Sequence, residues 1–320
     1  MKIVVLDGHT LNPGDLNWEG LQHFGDITVY DRTPYNNKDI IAHIADAEVV
    51  FTNKTPINKE ILSSTPSLRY IGVLATGYNI VDIEAAKNNG ITVTNVPDYS
   101  SKSVAQFTMA LILELCHHIG AHHQAVRQGD WIKSNDFSFW NYPLIELAEK
   151  KLGIIGFGKI GKATAKLAQA FGMKILVYNR TTYTDFENDS LKFVELEDVF
   201  KNSDFISLHC PLTSKTEGLI NKSSLDIMKT SAFLINTSRG PLIVEKDLAE
   251  ALNNKKLAGA AVDVISEEPM KEGNPLLNAQ NCIITPHIAW APKEARQRLM
   301  DITIENLKAF LEGNPQNIVN

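Results

Sequence analysis

The chain has 320 residues, long enough for two domains that each bury a core. It is 44% hydrophobic and 21% charged, and its formal net charge of −6 is dispersed in sign, so it offers no basic face for nucleic acid or an anionic membrane. Cys116, Cys210 and Cys282 are few, odd in number and far apart, which argues against a disulfide framework and for a cytoplasmic protein.

No apolar run approaches the roughly 20 residues of a membrane span, and residues 1–7 enter a strand-like run without the plan of a signal peptide. The first hundred residues alternate β-branched runs at 2–6, 27–30, 48–52, 69–74 and 91–95 with helical stretches such as 37–45 and 81–89. Such alternation predicts a parallel sheet with helices on both faces. Residues 103–119 read as one continuous apolar helix, and the aromatic-rich stretch 129–144 leads on from it. A second alternation follows, with strands expected at 152–155, 175–178, 205–208, 232–235, 259–263 and 282–285. Six strands, with a glycine turn after the first, make the doubly wound dinucleotide-binding plan. The amphipathic stretch 292–311 comes too late for that sheet and is expected to return to the first domain.

The glycine turn is Gly156, Gly158 and Gly161 in G-x-G-x-x-G spacing. An apolar strand precedes it, and a proline-free helix opening at Lys159 and Ile160 follows. The first glycine permits the tight turn, the second lets a pyrophosphate approach the backbone, and the third lets the helix pack on the sheet. The anion then sits on the N–H groups of the helix N-terminus. About 20 residues on, where an acid would hold the adenosine ribose, the chain reads Asn179-Arg180-Thr181. Losing the acid removes repulsion of a 2′-phosphate, which Arg180 and Thr181 would bind, so acceptance of NADP(H) is expected, alongside NAD(H). In the other reading Asn179 bonds the 2′-hydroxyl while Arg180 faces solvent or stacks on adenine.

Arg239, Glu268 and His287 each follow a later strand of the second alternation, and ligands of open α/β sheets bind at carboxyl strand ends. An arginine fork holds a carboxylate and polarises a neighbouring carbonyl. A histidine oriented by a carboxylate delivers a proton near neutral pH. With a nicotinamide beside them, the set would reduce a 2-oxo acid to a 2-hydroxy acid.

The motifs GVLATGYNIVD (72–82), SVAQFTMALIL (103–113), LGIIGFGKIG (152–161), LHCPLT (208–213), LINTSRGPLI (234–243), GAAVDV (259–264), EEP (267–269) and TPHIAWAP (285–292) follow one another in the order of a known family. The chain resembles the D-isomer-specific 2-hydroxyacid dehydrogenases, most closely the glycerate dehydrogenase and hydroxypyruvate reductase group. The resemblance implies an α/β fold of two doubly wound parallel-sheet domains. A Rossmann domain (100–289) would be inserted into a flavodoxin-like substrate domain (1–99 plus 290–320). It implies Arg239 on the substrate carboxylate and carbonyl, His287 as acid/base and Glu268 as its partner. Asp263 would contact the nicotinamide carboxamide. Thr76 and Gly77 would offer N–H groups to the carboxylate, and Pro211, Thr213 and Thr237 would line the cofactor groove. It implies a homodimer built on the long helix and glycerate/hydroxypyruvate or glyoxylate as substrate, while the charge pattern leaves no nucleic-acid or membrane partner expected. Bulkier 2-oxo acids such as phenylpyruvate, and a non-catalytic cofactor-sensing corepressor of the same fold, stay open. Gln106 and Ala289 depart from the commoner Glu and Gly of the family, and Trp290 fits its glycerate-type branch. Glu268, where formate dehydrogenase relatives carry Gln, disfavours formate oxidation.

Other features carry less. His117, His118, His122 and His123 have metal-like spacing but lack a carboxylate in a comparable motif, and are expected at a helix terminus with partly solvated rings; no metal site is assigned. His209 is expected to be structural and Cys210 a groove wall. Trp131, Phe137, Phe139 and Trp140, without interleaved bases beyond Lys133, are expected to pack.

Overall fold

A computed structural model describes residues 1–320, which form two compact units, Met1–Ser100 with Ala291–Asn320, and Ser101–Trp290. Both are α/β with all-parallel sheets. In the first unit, β1 (Lys2–Val5), β2 (Asp26–Val29), β3 (Val49–Thr52), β4 (Tyr70–Val73) and β5 (Thr92–Thr94) lie in the order β2-β1-β3-β4-β5. β3 and β4 are buried throughout, as strands covered on both faces must be, and so read as continuous apolar runs. The helices Asn37–Ile44, Lys59–Ser64 and Ile83–Asn88 start where Asn36, Asn58 and Asp82 accept the backbone N–H of Asp39, Ile61 and Ala85. The C-terminal helix Lys293–Leu311 belongs to this unit. Its Phe310 ring lies 4.8 Å from that of Tyr70, and its buried Arg296 grips Asp15 through two bonds of 2.7 Å. That fork holds the Asp15 carboxyl below the usual carboxylate range.

The second unit contains β6 (Lys151–Ile155), β7 (Lys174–Tyr178), β8 (Leu191–Phe193), β9 (Phe205–Leu208), β10 (Phe233–Asn236), β11 (Gly259–Val262) and β12 (Cys282–Ile284). Their order is β12-β11-β10-β9-β6-β7-β8, so the winding reverses at β6, which pairs with β7 on one side and β9 on the other. The sheet has seven strands rather than the six read from sequence. The extra one, β8, is three residues long and lies at the edge against β7, with Lys192 exposed, so no apolar run announces it.

The expected continuous helix 103–119 is also corrected. One helix runs Ser101–His117, His118 turns left-handed at φ 47°, and a second helix Ile119–Arg127 leaves at 53°. The His118 ring stacks on Tyr142 at 4.4 Å, and the His122 ring bonds the carbonyls released at the break. The apolar pattern gives way to His-His-Ile-Gly-Ala-His-His at residues 117–123, which marks a helix terminus there but not the second helix, of which only Ala125 is buried. No single helix is long and apolar enough to cross a membrane.

Candidate active site

The glycine turn joins β6 to the helix Lys159–Ala170 at the reversal point of the second sheet. Gly156 sits at φ +98°, where a Cβ would stand 2.7 Å from the His209 carbonyl and the Cys210 nitrogen. At Gly161 a Cβ would lie 2.2 Å from the Gly156 oxygen. The chain itself therefore demands those two glycines. Gly158 differs: its φ is −75° and nothing lies within 4 Å of a Cβ built on it. No internal contact requires glycine there, and the open side flanks the first-turn N–H groups of Ile160 and Gly161, which no helix can satisfy internally. These residues fit a dinucleotide pyrophosphate. Asn179, just past β7, accepts the Phe157 N–H at 3.0 Å and donates to the Thr181 carbonyl at 2.8 Å, tying the turn to the β7 loop. Arg180 and Thr181 are exposed. The Lys162 ammonium lies over the rings of Phe186 at 4.4 Å and Tyr183 at 4.6 Å.

Arg239, Glu268 and His287 follow β10, β11 and β12, neighbours in the sheet. His287 Nδ1 donates to Glu268 Oε2 at 2.7 Å, and Glu268 Oε1 accepts the Ile265 N–H at 3.4 Å. His287 adopts φ +55°, an unusual conformation for a residue with a Cβ. Asp263, 1% exposed, holds the loop in that shape. Its Oδ1 accepts the Thr285 hydroxyl at 2.6 Å and the Ile288 N–H at 2.9 Å, and its Oδ2 the Ala289 N–H at 2.8 Å. The Arg239 loop is fixed by Asn236, which donates to the Arg239 carbonyl and accepts the Ser238 N–H. Gly240 presses that loop on the next one: a Cβ there would lie 1.9 Å from the Ile265 carbonyl. Arg239 is exposed, with Nη1 bonded to the Ser238 carbonyl.

In the first unit, Thr76 and Gly77 lie on the turn after β4. The Leu74, Ala75 and Thr76 carbonyls accept from Asn53 Nδ2, the Val96 N–H and Asn95 Nδ2. The N–H groups of Ala75, Thr76 and Gly77 have no acceptor in the chain.

The Thr237 hydroxyl meets that of Thr108 at 3.1 Å, linking the end of β10 to the long helix. Pro211 and Thr213 are exposed on the turn after β9, which is closed by Thr216. Burial pushes the Cys210 thiol up and the His209 imidazole down to about 4, and His209 Nε2 meets the Ser207 hydroxyl at 3.0 Å. Trp131, Phe137 and Trp140 are exposed, against expectation, and Phe139 is half-buried. Phe137 is 91% exposed, because the stretch contributes nothing to either face of the sheet. Sequence reading missed Asn236, Gly240 and Thr285. An Asn ending a strand before Ser-Arg-Gly is a turn signal for the first, whereas nothing local marks the other two.

Residues 109–289 match the family model described as D-isomer specific 2-hydroxyacid dehydrogenase, NAD binding domain. The chain is 54% identical to a hydroxypyruvate reductase of Blautia hydrogenotrophica over 100% of both chains. It is 40% identical to a glycerate dehydrogenase of Methylorubrum extorquens over 99% of this chain and 98% of that one. Among solved structures, an acyclic imino acid reductase in complex with NADPH and D-Arg superposes with a TM-score of 0.85 at 30% identity over 100% of both chains.

Proposed function

This chain belongs to the D-isomer specific 2-hydroxyacid dehydrogenases, and from that premise we propose that it reduces hydroxypyruvate or glyoxylate to the corresponding D-2-hydroxy acid. As a member it is an NAD(P)-dependent oxidoreductase that transfers hydride between nicotinamide and a small D-2-hydroxy or 2-oxo acid. The substrate proposal draws on the two relatives above, one named for hydroxypyruvate and one for glycerate.

The observation that carries the residue roles is the His287–Glu268 bond of 2.7 Å. A carboxylate accepts only, so Nδ1 carries the proton it donates and Nε2 is left to exchange a proton with substrate. Glu268 stabilises the imidazolium that precedes proton delivery to the carbonyl oxygen. Arg239 binds the substrate carboxylate and polarises the carbonyl, and in the first unit Thr76 and Gly77 offer N–H groups suited to a carboxylate. A nicotinamide held by this unit would supply the hydride. Gly156, Gly158, Lys159, Ile160 and Gly161 would hold its pyrophosphate, Pro211, Thr213 and Thr237 would line its groove, and Asp263, which clamps the His287 loop, would contact its carboxamide. At the adenosine end, Asn179 lacks the charge that repels a 2′-phosphate, and Arg180, Thr181 and Lys162 add donors and positive charge. We therefore read NADP(H) as accepted beside NAD(H).

On this reading the seven-stranded unit is a Rossmann domain (100–289) inserted into a flavodoxin-like substrate domain (1–99 plus 290–320). The protein works in the cytoplasm, its three thiols free. Its dimer is formed by the long helix and the exposed residues Ile119, Trp131, Ile132, Phe137 and Trp140 covering a second copy. Light scattering of the wild type and Phe137→Glu tests the dimer, and a monomeric wild type refutes it. The function is tested by oxidation of NADH and NADPH with hydroxypyruvate, glyoxylate, pyruvate and phenylpyruvate. Turnover should be fastest with the first two; a preference for phenylpyruvate refutes the substrate assignment.

A further inference from the structure

Asp7 and Asn53 stand outside every motif of the family resemblance, yet both are buried at the carboxyl edge of the first sheet, at 8% and 6% exposure. Asp7 follows β1 and Asn53 follows β3, the adjacent pair at which the strand order of that sheet reverses. Asp7 Oδ1 accepts the Asn53 N–H at 2.7 Å. Its Oδ2 accepts the N–H groups of Lys54 at 2.6 Å and Thr55 at 2.7 Å, and the Thr55 hydroxyl at 3.0 Å. One carboxylate thus fixes three successive peptide groups of the β3 loop. Asn53 continues the connection, its Nδ2 donating to the Leu74 carbonyl at 2.9 Å.

That carbonyl begins the turn that carries Thr76 and Gly77. From the other side, the Val96 N–H donates to the Ala75 carbonyl at 3.0 Å, Asn95 Nδ2 to the Thr76 carbonyl at 2.7 Å, and the Thr76 hydroxyl to the Val96 carbonyl at 2.9 Å. Three successive carbonyls are held from β3 and β5, while the N–H groups of Ala75, Thr76 and Gly77 donate to nothing in the chain. Peptide dipoles fixed by their oxygens present their N–H groups at a set angle, and an anion bound there meets donors that need not reorganise. We propose that Asp7 and Asn53 are positioning residues for substrate: Asp7 fixes the β3 loop, and Asn53 transmits that fixity to the turn whose N–H groups bind the 2-oxo acid carboxylate. The inference rests on the reading of Thr76 and Gly77 as substrate-binding residues.

The test uses the full-length enzyme with NADPH. Oxamate, an unreactive 2-oxo acid analogue, is added first, and amide hydrogen exchange is followed over residues 74–78. Slowed exchange supports the binding role of the turn; unchanged exchange removes that role and the proposal with it. Asn53→Ala leaves the bonds from Asp7 to the loop backbone in place and should raise KM for hydroxypyruvate about tenfold, with kcat changed less than about twofold. NADPH affinity should not move. Asp7→Asn should raise KM in the same way, and the double variant should be no worse than the worse single one, since both act through one path. Oxamate protection in the wild type with unaltered KM in Asn53→Ala overturns the positioning role alone. So does a double variant whose effects multiply.

Discussion

Two buried aspartates at strand ends do the same local work on different loops. Asp7 follows β1 and takes four donors from residues 53–55; Asp263 follows β11 and takes three from residues 285–289. In each case a carboxylate removed from water is offset by charge-assisted bonds, which makes the loop stiff. They differ in what the loop carries. The loop held by Asp263 bears the His287 ring itself, in a left-handed conformation. The loop held by Asp7 reaches ligand-facing groups only through Asn53. A clamp on the proton-transfer side chain should act on kcat, and a clamp one step behind a binding turn on KM.

The largest effect that can break this contrast is at His287. His287→Ala should lower kcat by about 10²–10⁴ with little change in KM, because proton transfer belongs to the transition state. Steady-state kinetics with hydroxypyruvate decide it, and a variant with wild-type kcat refutes the assignment.

His209 follows β9 and bonds that strand's Ser207 rather than a neighbouring loop, so it should affect stability without kinetics. Burial lowers its pKa from an ordinary 6.5 to about 4. The unfolded chain binds this proton first on acidification. Stability from His209 is therefore intact above pH 6.5 and is lost as pH falls towards 4, by up to roughly 3 kcal/mol. Urea unfolding from pH 7 to 4.5 should show a shallower decline in His209→Gln, and parallel curves count against it.

Asp263→Asn places an amide N–H₂ against donors and should cost about 1–3 kcal/mol, read as a lower Tm. If the contrast holds, kcat falls with it while KM for hydroxypyruvate changes little. A rise confined to KM would make the two aspartates equivalent. The smallest effect is expected at Asn179→Asp, which restores a carboxylate at the adenosine end. It should shift the ratio of kcat/KM towards NADH by about tenfold, near 1.4 kcal/mol. A wild type that already strongly prefers NADH refutes the reading of Asn179.

Much of this molecule is legible in order along the chain. The buried parallel strands appear as runs such as Val49–Thr52 and Phe205–Leu208, and the glycine turn shows its strand and helix in sequence. The second helix beyond His118 and the edge strand β8 are not legible. One buries only Ala125 and so shows no apolar face, and the other is three residues paired on one side only. Nor is the exposure of Phe137 and Trp140, since an aromatic residue reads alike whether it meets its own core or solvent.

The sequence by itself determined the alternation of strands and helices, the glycine turn and the residue types at three strand ends. Hydrophobic period, glycine spacing and side-chain chemistry are local properties of a chain. Tertiary structure alone decided that Asp263 fastens the His287 loop from 22 to 26 residues away, and that Asp7 fastens residues 53–55 across 46 to 48. A buried carboxylate must find donors wherever the fold brings them, and strand order, not proximity in the chain, sets which loop supplies them.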